Sequence, residues 1–433
     1  MNGKRPTVTI QLTARWLLGL LALLFLVQIV VPSRVWTVLL VGVGGALALG
    51  YLWVSQLARH LALHRQRRYG WAHVGDVLEE RFAVQNRSLL GAVWLEIDDR
   101  SDLPGYSANT VRSVEGRQTL RWRTQATCRQ RGLFTLGPWR VHTGDPLGLY
   151  RLTLDFAESQ SVLVYPPVVH LPELRLPRGI ATGAGRTSRR ALDVTTHAAG
   201  VRGYAPGDSI RQVHWPSTAR HDTLMVKTFD LEPSGDLWIV LDLDDSVQAG
   251  EGEESTVEYG VILAASLASQ SLGENRAVGL VAYGSDESGH VPMPTLVLPQ
   301  KGKAQEWRIL EVLATARTGG HWPLSRVLAE MDRNLGRGTI LALITPSCQA
   351  DWVAGLLPPM RRGVTPTVLL LDPASFGGQG NVEPLTALLA NLGVTTHRIV
   401  QGMPFRPIAE HKRLGPPMYK VLPGYGRVIP VSE

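Results

Sequence analysis

Not one Asp or Glu occurs among the first 69 residues, although eight Lys or Arg do. This acid-free stretch contains two uncharged apolar runs, Trp16 to Ser33 and Val35 to Ala58. Each is about the length a helix needs to cross roughly 30 Å of hydrocarbon. The break Pro32-Ser33-Arg34 falls at their boundary, so the chain is expected to enter a membrane and turn straight back. Lys4, Arg5 and Arg15 precede the first run, and Arg59, Arg65, Arg67 and Arg68 follow the second, against Arg34 alone in the turn. That bias puts both ends of a two-pass hairpin, and all that follows, on the cytoplasmic side of an inner membrane. Arg59, Arg65, Arg67 and Arg68 become the candidate contacts to anionic lipid heads. No small-x-small site follows the first run, so it does not read as a cleaved leader.

Basic charge is also missing where a nucleic-acid surface would need it. Removing those eight cations from the overall +7 leaves −1 on the other 364 residues, which argues against nucleic acid as a partner. Cysteine is nearly absent. Cys128 and Cys348 are far apart and lack metal-ligand spacing, so they read as ordinary buried thiols. His60 and His64, one helical turn apart past the second run, have no third ligand nearby and read as lipid-surface residues. Gly42, Ala46 and Gly50 form a small-residue stripe that suits the first helix or a neighbouring copy.

Beyond the hairpin, long helical periods are missing until about residue 236. Leu78–Gln85, Ala92–Ile97, Leu120–Ala126, Trp139–His142 and Ser161–Tyr165 alternate like strands, between turns such as Leu103-Pro104-Gly105. A small antiparallel β-sandwich over 70–170 is expected. A Pro/Gly/Arg-rich crossing and an unusual segment fill 171–235. From 236 to 402 short apolar runs (Leu237–Leu241, Ala277–Tyr283, Thr339–Ile344, Thr365–Leu371, Thr395–Val400) alternate with helical ones (Val257–Leu272, Ala304–Ala314, Leu324–Leu335, Asp351–Leu357, Pro384–Leu392). That rhythm predicts a doubly wound α/β domain with a mostly parallel sheet. The proline-rich tail, 403–433, has little periodicity and is expected to wrap the surface or stay partly disordered.

The densest unusual segment is Gly200 to Phe229. Ala205-Pro206-Gly207-Asp208 has turn chemistry, and Asp208 stands where an N-cap would precede Ser209–Val213. Arg202, Arg211 and Arg220 recur nine apart around Tyr204 and Trp215, a mix that either braces a fold or binds carboxylates and rings. Asp208, His214 and Ser217 can be drawn as a catalytic triad. They lie within ten residues, however, and no nucleophile-elbow glycines surround Ser217, which speaks against catalysis.

Tyr204, Pro206, Gly207, Asp208, Arg211, Trp215, Ser217, Ala219 and Arg220 stand in the order that is the hallmark of a bacterial membrane family, domain of unknown function fifty-eight, which the chain resembles. Arg131-Gly132 with Leu136-Gly137-Pro138, Asp145-Pro146-Leu147-Gly148-Leu149 and Val164-Tyr165-Pro166 follow the same family's order. The resemblance implies a two-helix anchor, an immunoglobulin-like β domain and a von Willebrand factor A-like domain. It further implies association with MoxR-type AAA+ ATPases, often beside transglutaminase-like membrane proteins, and no known enzymatic activity.

Metal-binding A-like domains carry Asp-x-Ser-x-Ser after their first strand, completed by a threonine and an aspartate from two later loops. Here Asp242, Asp244 and Ser246 occupy the first motif. Gly319-Gly320 is followed by His321-Trp322 rather than threonine, and Thr345-Pro346-Ser347 stands where the aspartate belongs. A degenerate site with no resident cofactor is expected, Mg²⁺ being the ion it would take. The favoured reading is a non-catalytic membrane scaffold or adaptor presenting the A-like domain to a cytosolic MoxR-type ATPase. The alternatives are a metal-assisted hydrolase built on Asp242 and Asp244, and a self-associating component of a membrane assembly.

Overall fold

The computed structural model describes residues 6–67, 70–171, 174, 176, 200–204, 213–221, 223–228, 235–284, 294–319, 322–403, 406–407, 419–421 and 428–430. A strand, β1 (Thr7–Leu12), precedes two apolar helices, α1 (Trp16–Val30) and α2 (Arg34–His60), and β2 (Leu61–Arg67) follows them directly. α1 stops short of Pro32, whose ring disfavours helix in the residue before it. Ser33 then starts α2, its hydroxyl accepting the Val35 N–H at 3.3 Å. By length and composition α2 can cross a membrane, whereas α1, at 15 residues or about 22 Å, is shorter than the expected crossing.

The next strands are β3 (Trp71–His73), β4 (Val77–Asn86), β5 (Ala92–Asp99), β6 (Thr110–Val114), β7 (Thr119–Thr127), β8 (Gly132–Leu136), β9 (Trp139–Gly144), β10 (Tyr150–Phe156) and β11 (Gln160–Tyr165). They form sheets ordered β1-β10-β9-β5-β6, β2-β4-β7 and β3-β11-β8. β4 shows why: Leu78, Glu80, Phe82 and Val84 point inward while Val77 and Arg81 face out. Phe82 stacks on Trp122 at 5.3 Å and meets the edge of Trp139 at 6.1 Å. Leu95, Ile97, Val141, Leu152 and Leu154 fill the space between sheets together with Val54 and Leu57 of α2. The last turns of the long helix thus belong to the β core.

The two strands flanking the helix pair, β1 and β2, lie within the basic flanks that the sequence shows. Gly42 has open space where a Cβ would stand, and Gly50 lies against the Tyr150 ring instead of another helix. His60 ends α2 and His64 lies within β2, so the two histidines do not share a helix face.

After the short β12 (Val169–His170), the described parts of the unusual segment are β13 (Gly200–Gly203), α3 (Trp215–His221) and β14 (Met225–Thr228), with β13 and β14 antiparallel. The C-terminal part runs β15 (Leu237–Leu241), α4 (Thr256–Gly273), β16 (Val278–Tyr283), β17 (Pro294–Gln300), α5 (Lys303–Thr315), α6 (Leu324–Met331), β18 (Ile340–Thr345), α7 (Leu357–Arg361), β19 (Thr365–Leu371), α8 (Glu383–Asn391) and β20 (Thr395–Ile399). The sheet order is β17-β16-β15-β18-β19-β20, parallel except for β17, an antiparallel edge strand that the apolar runs did not disclose. β15 is buried on both faces. Leu237, Ile239 and Leu241 pack with α4 and α5, and Trp238 and Val240 with α6 and α8. Gly260 lets α4 press close, since a Cβ there would meet Leu241 Cδ1 at 3.0 Å.

The two parts are joined by packed side chains. Trp71, His73, Tyr165 and Trp307 of α5 form one ring cluster, with Tyr165 and Trp307 centroids 5.2 Å apart.

Candidate functional site

Order reverses at β15: β16 lies on one side and β18, reached through later crossovers, on the other. In open α/β sheets the crevice beyond the strand ends at such a reversal is where ligands bind. Asp242 leaves β15 there, and Thr345 ends β18 beside it. The Thr345 hydroxyl donates to Asp242 Oδ2 at 2.6 Å and the Asp244 N–H to Oδ1 at 3.1 Å. Asp244 Oδ1 in turn accepts the Ser246 N–H at 2.9 Å and its hydroxyl at 2.7 Å. Gln248 donates to the Asp242 carbonyl at 3.0 Å and accepts from Thr256 at 2.8 Å, tying this loop to the first turn of α4.

Burial pushes the Asp242 carboxyl up to about 6, and the nearby Asp244 charge adds to it against the two hydrogen bonds. An open cleft beside the loop is lined by Ser246, Gln248, Ser347, Cys348, Gln349 and Gly380. Gln248 is a member of this site that the sequence does not single out, and Thr345, noted there only as standing where a ligand aspartate belongs, joins it through its hydroxyl. The position of Thr345 at a strand end was the available signal.

A bound Mg²⁺ would require about six converging oxygens. Asp242 and Asp244 bring two carboxylates, but their oxygens named above already accept from the loop and from Thr345. No third carboxylate, histidine or thiol joins them in a metal-sized group among the described residues. The described residues therefore do not fit that ion.

The hallmark segment is described in part. Pro206, Gly207, Asp208 and Arg211 lie outside the described residues, and Arg202 is placed only as backbone in β13. Tyr204 and Arg220 are exposed, and so is Trp215 at 63%. His214 precedes α3 as its cap: the imidazole Nδ1 lies 3.3 Å from the Ser217 amide nitrogen and 2.7 Å from its hydroxyl. Thr218 Oγ1 donates to the His214 carbonyl at 3.1 Å and accepts the Met225 N–H at 3.0 Å, so these bonds close the segment on itself.

Among the described residues, the two parts are braced by Arg131, which sequence reasoning noted only as a family position. Its guanidinium pairs with Glu258 of α4 and donates to the carbonyls of Leu313 and Ala316 at 2.9 and 2.5 Å.

Of the four arginines expected at lipid heads, Arg59 is exposed at the end of α2, Arg67 lies in β2, and Arg68 is outside the described residues. Arg65 corrects the expectation. It is drawn inward, 2.8 Å from Glu80 and 2.7 Å from Asp99, because those inward-facing carboxylates need a cation. Tyr106 donates to Glu80 as well, and burial raises its phenol. Cys128 is fully buried and Cys348 partly so, both as free thiols.

Residues 200–375, which hold the hallmark segment and the strand-end site, match the family described as "Protein of unknown function DUF58". The chain is similar to that family over this part of its length, less than half of the whole. A relative, the uncharacterized protein YeaD of Bacillus subtilis (strain 168), is 28% identical over 192 residues, which is 44% of this chain and 44% of that protein. The chain therefore spans less than half the length of that curated relative. Among solved structures, a chain from the complex of zinc 2-glycoprotein with prolactin inducible protein from human seminal plasma is 9% identical with a TM-score of 0.19, covering 24% of this chain and 92% of that one. The CARDB domain of the PF1109 protein of Pyrococcus furiosus is 12% identical with a TM-score of 0.18, covering 24% and 91%. Scores this low define no shared architecture.

Proposed function

We propose that this chain is a non-catalytic membrane adaptor. The helix pair is a transmembrane hairpin that fixes an immunoglobulin-like β-sandwich to the cytoplasmic face of an inner membrane, and the sandwich presents a von Willebrand A-like domain to a MoxR-type AAA+ ATPase. One observation supports the hairpin above others: β1 and β2, at the two ends of the helix pair, are strands of the same β domain. A chain that leaves a folded domain and re-enters it must have both helix ends on one side of the bilayer. The cationic flanks around Arg15 and Arg59 favour the cytoplasmic side.

The adaptor role is favoured over hydrolysis by the strand-end site, where Asp242 and Asp244 are committed to loop closure. The partner rests on the family resemblance, and the membrane neighbour it suggests is a transglutaminase-like protein. The direct test is co-purification of the tagged full chain with a MoxR-type ATPase under ATP and ADP. Nucleotide-dependent recovery is expected, and recovery of no such ATPase in either state contradicts the proposal.

A further inference from the structure

The helix pair leaves and re-enters the β domain at a single end. The Thr13 N–H donates to the Leu149 carbonyl at 2.8 Å, and the Arg87 N–H to the His60 carbonyl at 3.0 Å. Strand register places three loops at that end, residues 87–91, 115–118 and 145–149, through the pairs Leu61 with Asn86, Gln85 with Thr119, Ala92 with Val114 and Leu12 with Tyr150. The end that meets the α/β part is the opposite one.

α2 does not stand clear of this end. Gly50 lies against Tyr150, Tyr51 meets the Tyr150 ring at 5.9 Å, and Trp53 Nε1 donates to the Gly91 carbonyl at 3.2 Å. Counting from Arg34, about 20 helical residues are needed for roughly 30 Å of hydrocarbon, which reaches Trp53. Contact with the domain has begun three residues earlier, and α1 is shorter still. A hydrocarbon slab around these helices must therefore reach the loops themselves.

Those loops suit such a place. Leu89 and Leu147 are exposed at 74% and 67%, each at a loop tip. Asp145, itself buried, accepts the Leu147 N–H at 3.0 Å and the Tyr150 N–H at 2.6 Å, and so shapes the turn that thrusts Leu147 outward. Arg15, Arg59, Arg87 and Arg117 are exposed around the same end, with Glu115 the exposed acid in these loops. Trp16 and Tyr51, exposed at the same level, match the aromatic belt of a membrane interface.

We infer that this end of the β domain is seated in the lipid interface, with Leu89 and Leu147 at the headgroup–acyl boundary and Arg87 and Arg117 on lipid phosphates. The inference rests on the transmembrane reading of the helices. The β domain is then a rigid pedestal with a fixed tilt, which sets the height of the α/β part above the bilayer.

The test uses the full chain carrying Cys348→Ala, in proteoliposomes of phosphatidylethanolamine and phosphatidylglycerol. Leu89→Cys, Leu147→Cys, Phe25→Cys in α1 and Ser159→Cys at the opposite end are each labelled with bimane, with nitroxide lipids as quencher. Labels at 25, 89 and 147 are expected to be quenched several-fold more than the label at 159. Quenching at 25 with 89 and 147 behaving like 159 overturns the seated loops alone. Absence of quenching at 25 overturns the transmembrane reading and the seating with it.

Discussion

Arg131, just before β8, and Glu258, in the first turn of α4, form an ion pair across the junction between the β domain and the α/β sheet. The Arg131 side chain is only 5% exposed, and burial pulls its guanidinium down to about 10, aided by Arg317, so it remains charged at neutral pH. Two of its remaining hydrogen bonds go to carbonyls at the end of α5, where the helix dipole favours a cation. Arg131→Met should weaken the junction by about 2–4 kcal/mol, since it strands those carbonyls and the Glu258 charge. Glu258→Gln should cost less, because that carboxylate is partly solvated. Urea unfolding of detergent-solubilised protein checks this, with a separate early transition expected for Arg131→Met.

Arg65 offers a sharper choice between two roles. If it were a lipid contact, Arg65→Ala would leave stability unchanged. With Glu80 and Asp99 side chains only 2% and 1% exposed, the substitution instead leaves buried carboxylates unpaired and should cost about 3–5 kcal/mol. Thermal unfolding in detergent measures the difference.

The Asp242 carboxyl makes stability depend on pH. Its ordinary value of 3.8 rises to about 6 in the fold, so between these values the folded protein holds a proton that the unfolded chain has released. Stability from this group is therefore greatest at the acid side, falls as pH rises through about 6, and stays lower above. Asp242→Asn keeps a carbonyl acceptor and removes the buried charge. It should raise stability at pH 8 by on the order of 2 kcal/mol relative to wild type, with the gain vanishing near pH 4. Paired thermal scans across that range give the answer.

His214 is placed as a helix cap, its Nδ1 facing the Ser217 amide and hydroxyl. His214→Asp should preserve α3, and His214→Ala should cost about 1 kcal/mol. A serine-directed fluorophosphonate should leave Ser217 unlabelled in the wild type, which mass spectrometry of the adduct can establish.

The strands that alternate cleanly between turns were readable from composition, as β4 and β7 were, because inward Leu and Phe positions recur at a period of two. β1 and β2 were not, although Thr7–Leu12 alternates as well as any strand. Their basic neighbours and adjacency to apolar helices made them look like membrane flanks. The role of Arg65 is hidden from the local sequence for the same reason: its partners Glu80 and Asp99 lie 15 and 34 residues away and become neighbours only through pairing of β2 with β4 and packing on β5. At the strand-end site Asp242, Asp244 and Ser246 were legible as a motif, whereas the bond from Thr345, 103 residues on, needed the sheet order. The Arg131–Glu258 pair, 127 residues apart, had no local signal at all.

Everything proposed for function depends on which side of the bilayer the β and α/β parts occupy. The decisive measurement is cysteine accessibility in cells that express the full chain with Ser159→Cys or Gln379→Cys in a Cys348→Ala background, probed with a membrane-impermeant maleimide. Both positions should be unlabelled in intact cells and labelled after permeabilisation. Labelling of either in intact cells would place these parts outside the cytoplasm and contradict the partnership with a cytosolic ATPase.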